Sequence, residues 1–281
     1  MRTEVTPEEI AYYQDNGFVI VEDLLTPDEL EDWREAIANA LVARGTSTMS
    51  YANSPQAPTD EERNANPEAN YYATVFTQRV NLWQSDERVK ELIVNETIGK
   101  MAADLAQVDG MRMWHDQALI KEPWASPTAF HLDVPYWSFT SPASISIWVA
   151  LDDATLQNGC MTFIPGSHKD EKYANVPIGK DVGGLFREYP EWDNIMPVAC
   201  PIKAGSCTFH NGLTAHGAGA NLTPGRRRAM TAGFMPDGCT YNGQANILPE
   251  EIYSKLKVGD LLDDPAQNPL LYSRARSVAA T

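Results

Sequence analysis

Among the five histidines of this 281-residue chain, His131 stands two positions before Asp133 in Phe130-His131-Leu132-Asp133-Val134. An extended strand alternates its side chains, so this spacing predicts that His131 and Asp133 project from one face, about 7 Å apart along the backbone. An imidazole and a carboxylate held that way can take neighbouring positions on one metal ion. A second imidazole from a distant strand would complete a 2-His-1-carboxylate set, which leaves positions open and suits non-haem Fe(II). Short of that third ligand, a His-x-Asp triplet is often only a surface hydrogen bond.

Four histidines compete for the third place. His168 lies in Pro165-Gly166-Ser167-His168-Lys169, a turn whose imidazole is expected to bond backbone. His115 can face a cavity or sit satisfied in a core. His210 and His216 both fall near the end of the β-patterned region. The nearby Gly212, Gly217 and Gly219 favour His216, because they would leave room for a further ligand on the metal.

A frame for such a site is visible on both sides of it. Thr6-Pro7-Glu8-Glu9 and Thr26-Pro27-Asp28-Glu29 each predict a helix start: Thr as N-cap, Pro at the first position, Glu closing a capping box. Phe18–Val21 follows the first helix as a short buried strand. Leu30, Trp33, Ile37 and Leu41 form one stripe on the second. Asp86–Gln107 predicts one or two helices, broken near Asn95 or Gly99. Seven β-patterned runs then follow: Met111–Lys121, Ala129–Trp137, Ala143–Leu151, Cys160–Ile164, Pro197–Ile202, Ser206–His210 and Arg227–Met235. Short strands separated by Gly/Pro turns predict a sandwich or jelly roll. The segments 46–70 and 169–196 interrupt the pattern as long insertions, the first a candidate lid. Residues 247–281 form a polar tail with one short helix. No repeat or linker marks a second domain, so 1–281 is expected to be one.

Three strands divide their faces in the same sense. Ser144, Ser146, Trp148 and Ala150 oppose Ile145, Ile147, Val149 and Leu151; Arg227, Ala229, Thr231 and Gly233 oppose Arg228, Met230, Ala232 and Phe234. His131 and Asp133 oppose Leu132 and Val134 in the third. Small or polar groups on one face leave the room that a ligand-holding barrel interior needs.

Composition narrows the function classes. A formal charge of −16 argues against nucleic acid, and the one basic run, Arg226-Arg227-Arg228, is too short for a binding stripe. Met1-Arg2-Thr3-Glu4 lacks a signal-like region, and no apolar run approaches the ~18 residues of a membrane span. The four cysteines form no Cys-x-x-Cys pair and are expected as reduced, packed thiols. These features predict a soluble cytoplasmic protein, with neither nucleic acid nor membrane as partner.

Several segments, in order, resemble the phytanoyl-CoA dioxygenase (PhyH-like) family of Fe(II)/2-oxoglutarate oxygenases. They are Asn16-Gly17-Phe18-Val19-Ile20-Val21, His131-Leu132-Asp133, Gln157 to Lys169 and Phe209 to Asn221, followed by Arg226-Arg227. The resemblance implies a mainly β double-stranded β-helix, a cupin-like jelly roll, braced by N-terminal and mid-chain α-helices. It implies His131, Asp133 and His216 as catalytic iron ligands, and Arg227, eleven residues after the distal histidine, on the C5 carboxylate of 2-oxoglutarate. Arg227 is also the one large residue on its strand face, and its fork suits a carboxylate; Arg226 and Arg228 then read as solvated charge. Trp148 matches a tryptophan flanking the co-substrate. Gln117 and Lys121, on the face of His115, are further candidates for binding the co-substrate, or else the substrate. Ala218 departs from the family, which often has Ser there. The implied cofactors are Fe(II), 2-oxoglutarate and O₂, and the implied outcome is hydroxylation of an unactivated C–H with release of succinate and CO₂. Trp124, Tyr136, Trp137 and Phe139 are candidates for the substrate wall. The alternative from another class is a non-catalytic jelly roll that binds metal or ligand without turnover.

Overall fold

The structure is a computed structural model and describes residues 1–51, 54, 61, 71–170, 172–174 and 176–275. Two antiparallel sheets face each other. The larger runs in the order β1 (Phe18–Val21), β8 (Cys207–Asn211), β5 (Ile145–Ala150), β10 (Arg227–Pro236), β3 (Gly110–Lys121) and β11 (Leu270–Ser273), with β2 (Thr77–Val80) also on β3. The smaller runs β4 (Thr128–His131), β9 (His216–Ala218), β6 (Met161–Phe163) and β7 (Val198–Cys200). Strands distant in sequence thus become neighbours, as in a jelly roll.

The division of faces decides what lies on each side of the large sheet. Ile145, Ile147, Val149, Met230, Ala232 and Phe234 point outward into the main core. Helices α1 (Pro7–Asn16), α2 (Pro27–Arg44), α3 (Glu87–Ile93) and α4 (Glu96–Ala106) cover that core, α2 burying Leu30, Trp33 and Ile37 in it. Full burial of such side chains is worth about 1.5–3 kcal/mol each, so this outer layer fixes the sheet. Both predicted capping boxes form, at Thr6/Glu9 and Thr26/Glu29. The mid-chain helix breaks at Asn95, whose side chain caps α4 by accepting from the Thr97 and Ile98 amides.

Three features depart from the sequence reading. The strand of His131 stops at His131 itself: Asp133 has φ −79 and ψ −51 and precedes a tight turn over Val134–Tyr136. Pro135 cannot donate to a ladder, and the Asp133 and Val134 amides bond Gly212 O instead, at 2.9 and 3.1 Å. The short strands β2, β9 and β11 carry too few alternations to be seen in sequence. The 169–196 segment is partly core, with Leu185, Tyr189 and Trp192 buried and the last two rings stacked at 4.0 Å. Of the 46–70 segment most lies outside the described residues. The carboxyl-terminal region forms α5 (Glu250–Tyr253). Among the described residues no helix is long and apolar enough to cross a membrane.

Candidate metal centre and its cavity

Between the sheets lies a cavity of about 480 Å³. Register places its inner face in rows. His115, Gly233, Ser146 and His210 are partners in one row across β3, β10, β5 and β8. Gln117, Thr231, Trp148 and Thr208 form the next row along. Opposite, on the small sheet, His131 and His216 are register partners, with Phe163 beside His216.

Those two imidazoles converge with Asp133. One ligand atom from each of His131, Asp133 and His216 can be chosen so that all lie within 4.8 Å of one another. The Nε2 atoms of both histidines are 3.7 Å from Asp133 Oδ1. Each ring donates its other nitrogen, Nδ1, to a carbonyl two residues back: His131 to Ala129 O and His216 to Thr214 O, both at 2.9 Å. That fixes the tautomer and leaves both Nε2 lone pairs aimed at the common point. Burial holds both imidazoles down to about 4, so they are neutral and able to ligate. Burial alone would raise the Asp133 carboxyl, but the surrounding imidazoles, His216 foremost, and a hydrogen bond from His210 hold it well below the usual carboxylate range.

The other carboxylate oxygen is occupied. Ser146 Oγ donates to Asp133 Oδ2 at 2.8 Å and His210 Nε2 lies 3.3 Å from it. His210 therefore lies behind the carboxylate, while His216 joins the cluster. His168 behaves as expected of a turn histidine, bonding Gln14 O at 3.1 Å. The glycines around His216 are not open, contrary to expectation. A Cβ at Gly212 would meet Val134 Cγ2 at 2.4 Å, and one at Gly217 would meet Thr128 O at 2.8 Å. Gly212 thus makes room for the Val134 side chain and Gly217 for the Thr128 backbone, while Gly219 has only ordinary contacts, the nearest at 3.5 Å.

Along β10 from the row of His115 and Gly233 stands Arg227, 2 % exposed, its guanidinium 5.0 Å from the Trp148 ring centroid. Its Nε and Nη1 have no hydrogen-bond partner among the described residues. Desolvation pulls its pKa down to about 10, the mark of a buried cation in want of an anion. Its neighbours are paired: Arg226 with Glu122 at 2.7 Å, Arg228 in a fork on Asp152 at 2.9 and 2.7 Å. Arg228 is thus an anchored ion pair, not free solvated charge.

The remaining expected residues divide. Trp148, Gln117, Tyr136, Trp137 and Ala218 line the cavity. Lys121 does not: its Nζ donates to Ser126 O at 2.6 Å and Val75 O at 3.3 Å, tying two loops to the end of β3. Phe139 is fully buried behind the wall, against Trp114 and Trp137. Trp124 is 68 % exposed in a left-handed turn at φ 65 and lies outside the cavity. An aromatic near the metal motif in sequence was no guide to its depth. Missed altogether were Ser146 and His210 as carboxylate supports and Gln78 on the wall. The small-residue face of β5 was the available signal for Ser146; a strand as short as β2 offered none for Gln78.

The family model for phytanoyl-CoA dioxygenase (PhyH) matches residues 13–229. The chain belongs to the phytanoyl-CoA dioxygenase family. Phytanoyl-CoA dioxygenase domain-containing protein 1 of Bos taurus is 25 % identical to this PhyH-family chain over 264 residues, covering 82 % of it and 90 % of the relative. A probable alpha-ketoglutarate-dependent hypophosphite dioxygenase of Stutzerimonas stutzeri is 25 % identical over 234 residues, 79 % of this chain and 76 % of that one. The solved epimerase SnoN, in complex with Fe3+, alpha ketoglutarate and nogalamycin RO, superposes with a TM-score of 0.72 at 26 % identity, covering 94 % and 97 % of the two chains. The carbocyclase SnoK from nogalamycin biosynthesis shares the fold, with a TM-score of 0.74 at 24 % identity over 95 % and 96 %. The protein is an enzyme of the iron- and 2-oxoglutarate-dependent oxygenase class, with the mainly β fold of that class.

Proposed function

We propose that the enzyme hydroxylates an unactivated C–H bond of a small molecule, with His131, Asp133 and His216 holding Fe(II) and Arg227 holding the C5 carboxylate of 2-oxoglutarate. One observation carries this reading: three converging donor atoms and an unpartnered buried guanidinium share one cavity. The donor set fits iron, because two neutral imidazoles and one carboxylate leave coordination positions free for a bidentate acid and O₂. Arg227 fits the acid, because its two unused N–H groups match a carboxylate fork. The Fe3+ and alpha-ketoglutarate held by the epimerase support the same pair of ligands here.

When bound, iron and 2-oxoglutarate supply the O₂-derived oxidation: R–H, the 2-oxo acid and O₂ give R–OH, succinate and CO₂. The chain's own residues position and exclude. Ser146 and His210 hold Asp133 so that Oδ1 faces the two imidazoles. Trp148 stacks under the guanidinium and fixes its plane. Tyr136 and Trp137 narrow the cavity on the substrate side and exclude water.

The test is an anaerobic titration with Fe(II) and then 2-oxoglutarate. The expected result is the visible charge-transfer band of a chelated 2-oxo acid, calorimetric binding of one 2-oxoglutarate, and succinate on admission of O₂. Absence of both band and binding defeats the proposal. A succinate-release screen over a metabolite panel then identifies the substrate, and mass spectrometry for a gain of one oxygen tests hydroxylation.

A further inference from the structure

The large-sheet side of the cavity carries a file of neutral polar groups that the proposed iron and 2-oxoglutarate chemistry does not use. Gln78, on β2, donates through Nε2 to Gln117 Oε1. Gln117 Nε2 lies 2.6 Å from His115 Nε2. All three residues line the cavity, the two glutamines half-buried and His115 only 4 % exposed. Read as donor to acceptor, with Gln78 Nε2 also donating to the Tyr72 hydroxyl at 3.5 Å, the file leaves one Gln117 N–H, the Gln78 carbonyl and the buried His115 Nδ1 without a partner among the described residues. The free N–H can donate to a carbonyl oxygen, and the free N–H and free carbonyl together match a hydroxyl, which both accepts and donates.

The backing of the file is rigid. The His115 ring packs edge-on to Trp137 at 5.7 Å, over Gly233. A Cβ at Gly233 would come within 2.9 Å of Trp137 and 3.0 Å of His115, so only glycine admits both rings. Burial keeps His115 neutral down to about 4, which leaves its Nε2 free to accept from Gln117 throughout the working pH range.

The rest of the wall restricts charge. Among the described residues lining the cavity, the formally charged side chains are Asp133 and Arg227, each assigned above to a bound group. A charged substrate moiety would find no counter-ion there and would be buried unpaired. The other walls are Tyr72, Phe76, Tyr136 and Trp137, which offer flat apolar surface.

We propose that Gln78 and Gln117, with His115 as positioning residue, read a carbonyl or hydroxyl group on an uncharged, largely apolar, flat substrate. The assignment rests on the iron/2-oxoglutarate reading only in that this reading occupies Asp133 and Arg227. Any charged portion of the substrate then stays outside the described walls.

Equilibrium dialysis of the enzyme loaded with Fe(II) and 2-oxoglutarate under argon tests it with two matched sets of probes. These are xanthone, xanthene and xanthone-2-carboxylate, and fluorenone, fluorene and fluorenone-2-carboxylate. The ketones are expected to bind, and the carboxylates at least about tenfold more weakly. Gln117→Leu and Gln78→Leu are expected to weaken the ketones about tenfold while leaving xanthene and fluorene unchanged. His115→Phe, which keeps the ring packing, should reproduce that selective loss with 2-oxoglutarate affinity intact. Equal binding of the carboxylates, failure of both ketones to bind, or equal loss of ketone and hydrocarbon in the variants overturns the proposal. Calorimetry of 2-oxoglutarate on the same samples separates the two readings: if that fails, the proposed function falls, and the ketone-to-hydrocarbon ratio in the metal-free protein still decides the role of the glutamines.

Discussion

Arg227 is buried with no ion pair among the described residues, and that makes it a cost to the ligand-free fold as well as the proposed anchor of 2-oxoglutarate. Arg227→Met keeps the packing on Trp148 and removes the charge. It is expected to stabilise the ligand-free protein by about 1–3 kcal/mol and to abolish the rise in melting temperature that 2-oxoglutarate gives wild type. A variant less stable than wild type and still stabilised by 2-oxoglutarate would show that the anion sits elsewhere. His210 makes the complementary case, since it acts through Asp133. His210→Gln and Ser146→Ala are expected to fold and to bind Fe(II) about 10–100-fold more weakly, as loss of an outer-shell partner does. His216→Ala, by contrast, should bind none. Iron affinities in the reverse order, measured by anaerobic dialysis, would move the third ligand to His210.

At the scale of elements, the cluster of His131, Asp133 and His216 depends on where β4 ends. Asp133 faces His131 because the chain turns at Val134–Tyr136 and is pinned to Gly212 O, not because a strand alternates. The side chain of Gly212→Ala would enter Val134 at 2.4 Å and displace that turn. The expected outcome is a loss of about 1–3 kcal/mol of stability with Fe(II) binding lost out of proportion to it. Equal iron affinity would mean that the turn does not set Asp133. That His131, Asp133 and His216 cluster and that Arg227 lines the same cavity was legible because all four sit in motif segments, and the helix ends were legible because Thr6, Thr26 and Asn95 act locally. The depth of Trp124, the turn at Asp133 and the wall position of Gln78 were not, because tertiary contacts decide them. Lys121 illustrates the same limit: its strand face was legible, but it ties loops where a cavity contact was expected. Desolvation, with Arg227 adding repulsion, pushes Lys121 down to about 7, against about 10.4 in an unfolded chain. The unfolded state then binds more protons between those values, so stability should rise as pH climbs from about 7 to about 10. Lys121→Met should flatten that slope in urea titrations at a series of pH values; an unchanged slope would remove Lys121 as its source.

The whole molecule carries a formal charge of −16, and the proposed co-substrate is a dianion that must approach it. At low ionic strength the repulsion acts over a Debye length of about 30 Å at 0.01 M, and at 0.15 M over only about 8 Å. Association should therefore quicken as salt is added, the reverse of steering by opposite charge. Dissociation follows a different rule. It would break the proposed contact with Arg227, which is 2 % exposed and screened far less than surface charge. The expected result of stopped-flow mixing, from about 10 to about 150 mM salt, is an on-rate for 2-oxoglutarate that rises while the off-rate changes little. An uncharged ketone probe on the same protein should show neither trend. If the 2-oxoglutarate on-rate instead falls with salt, the positive field of Arg227 inside the cavity outweighs the acidic exterior.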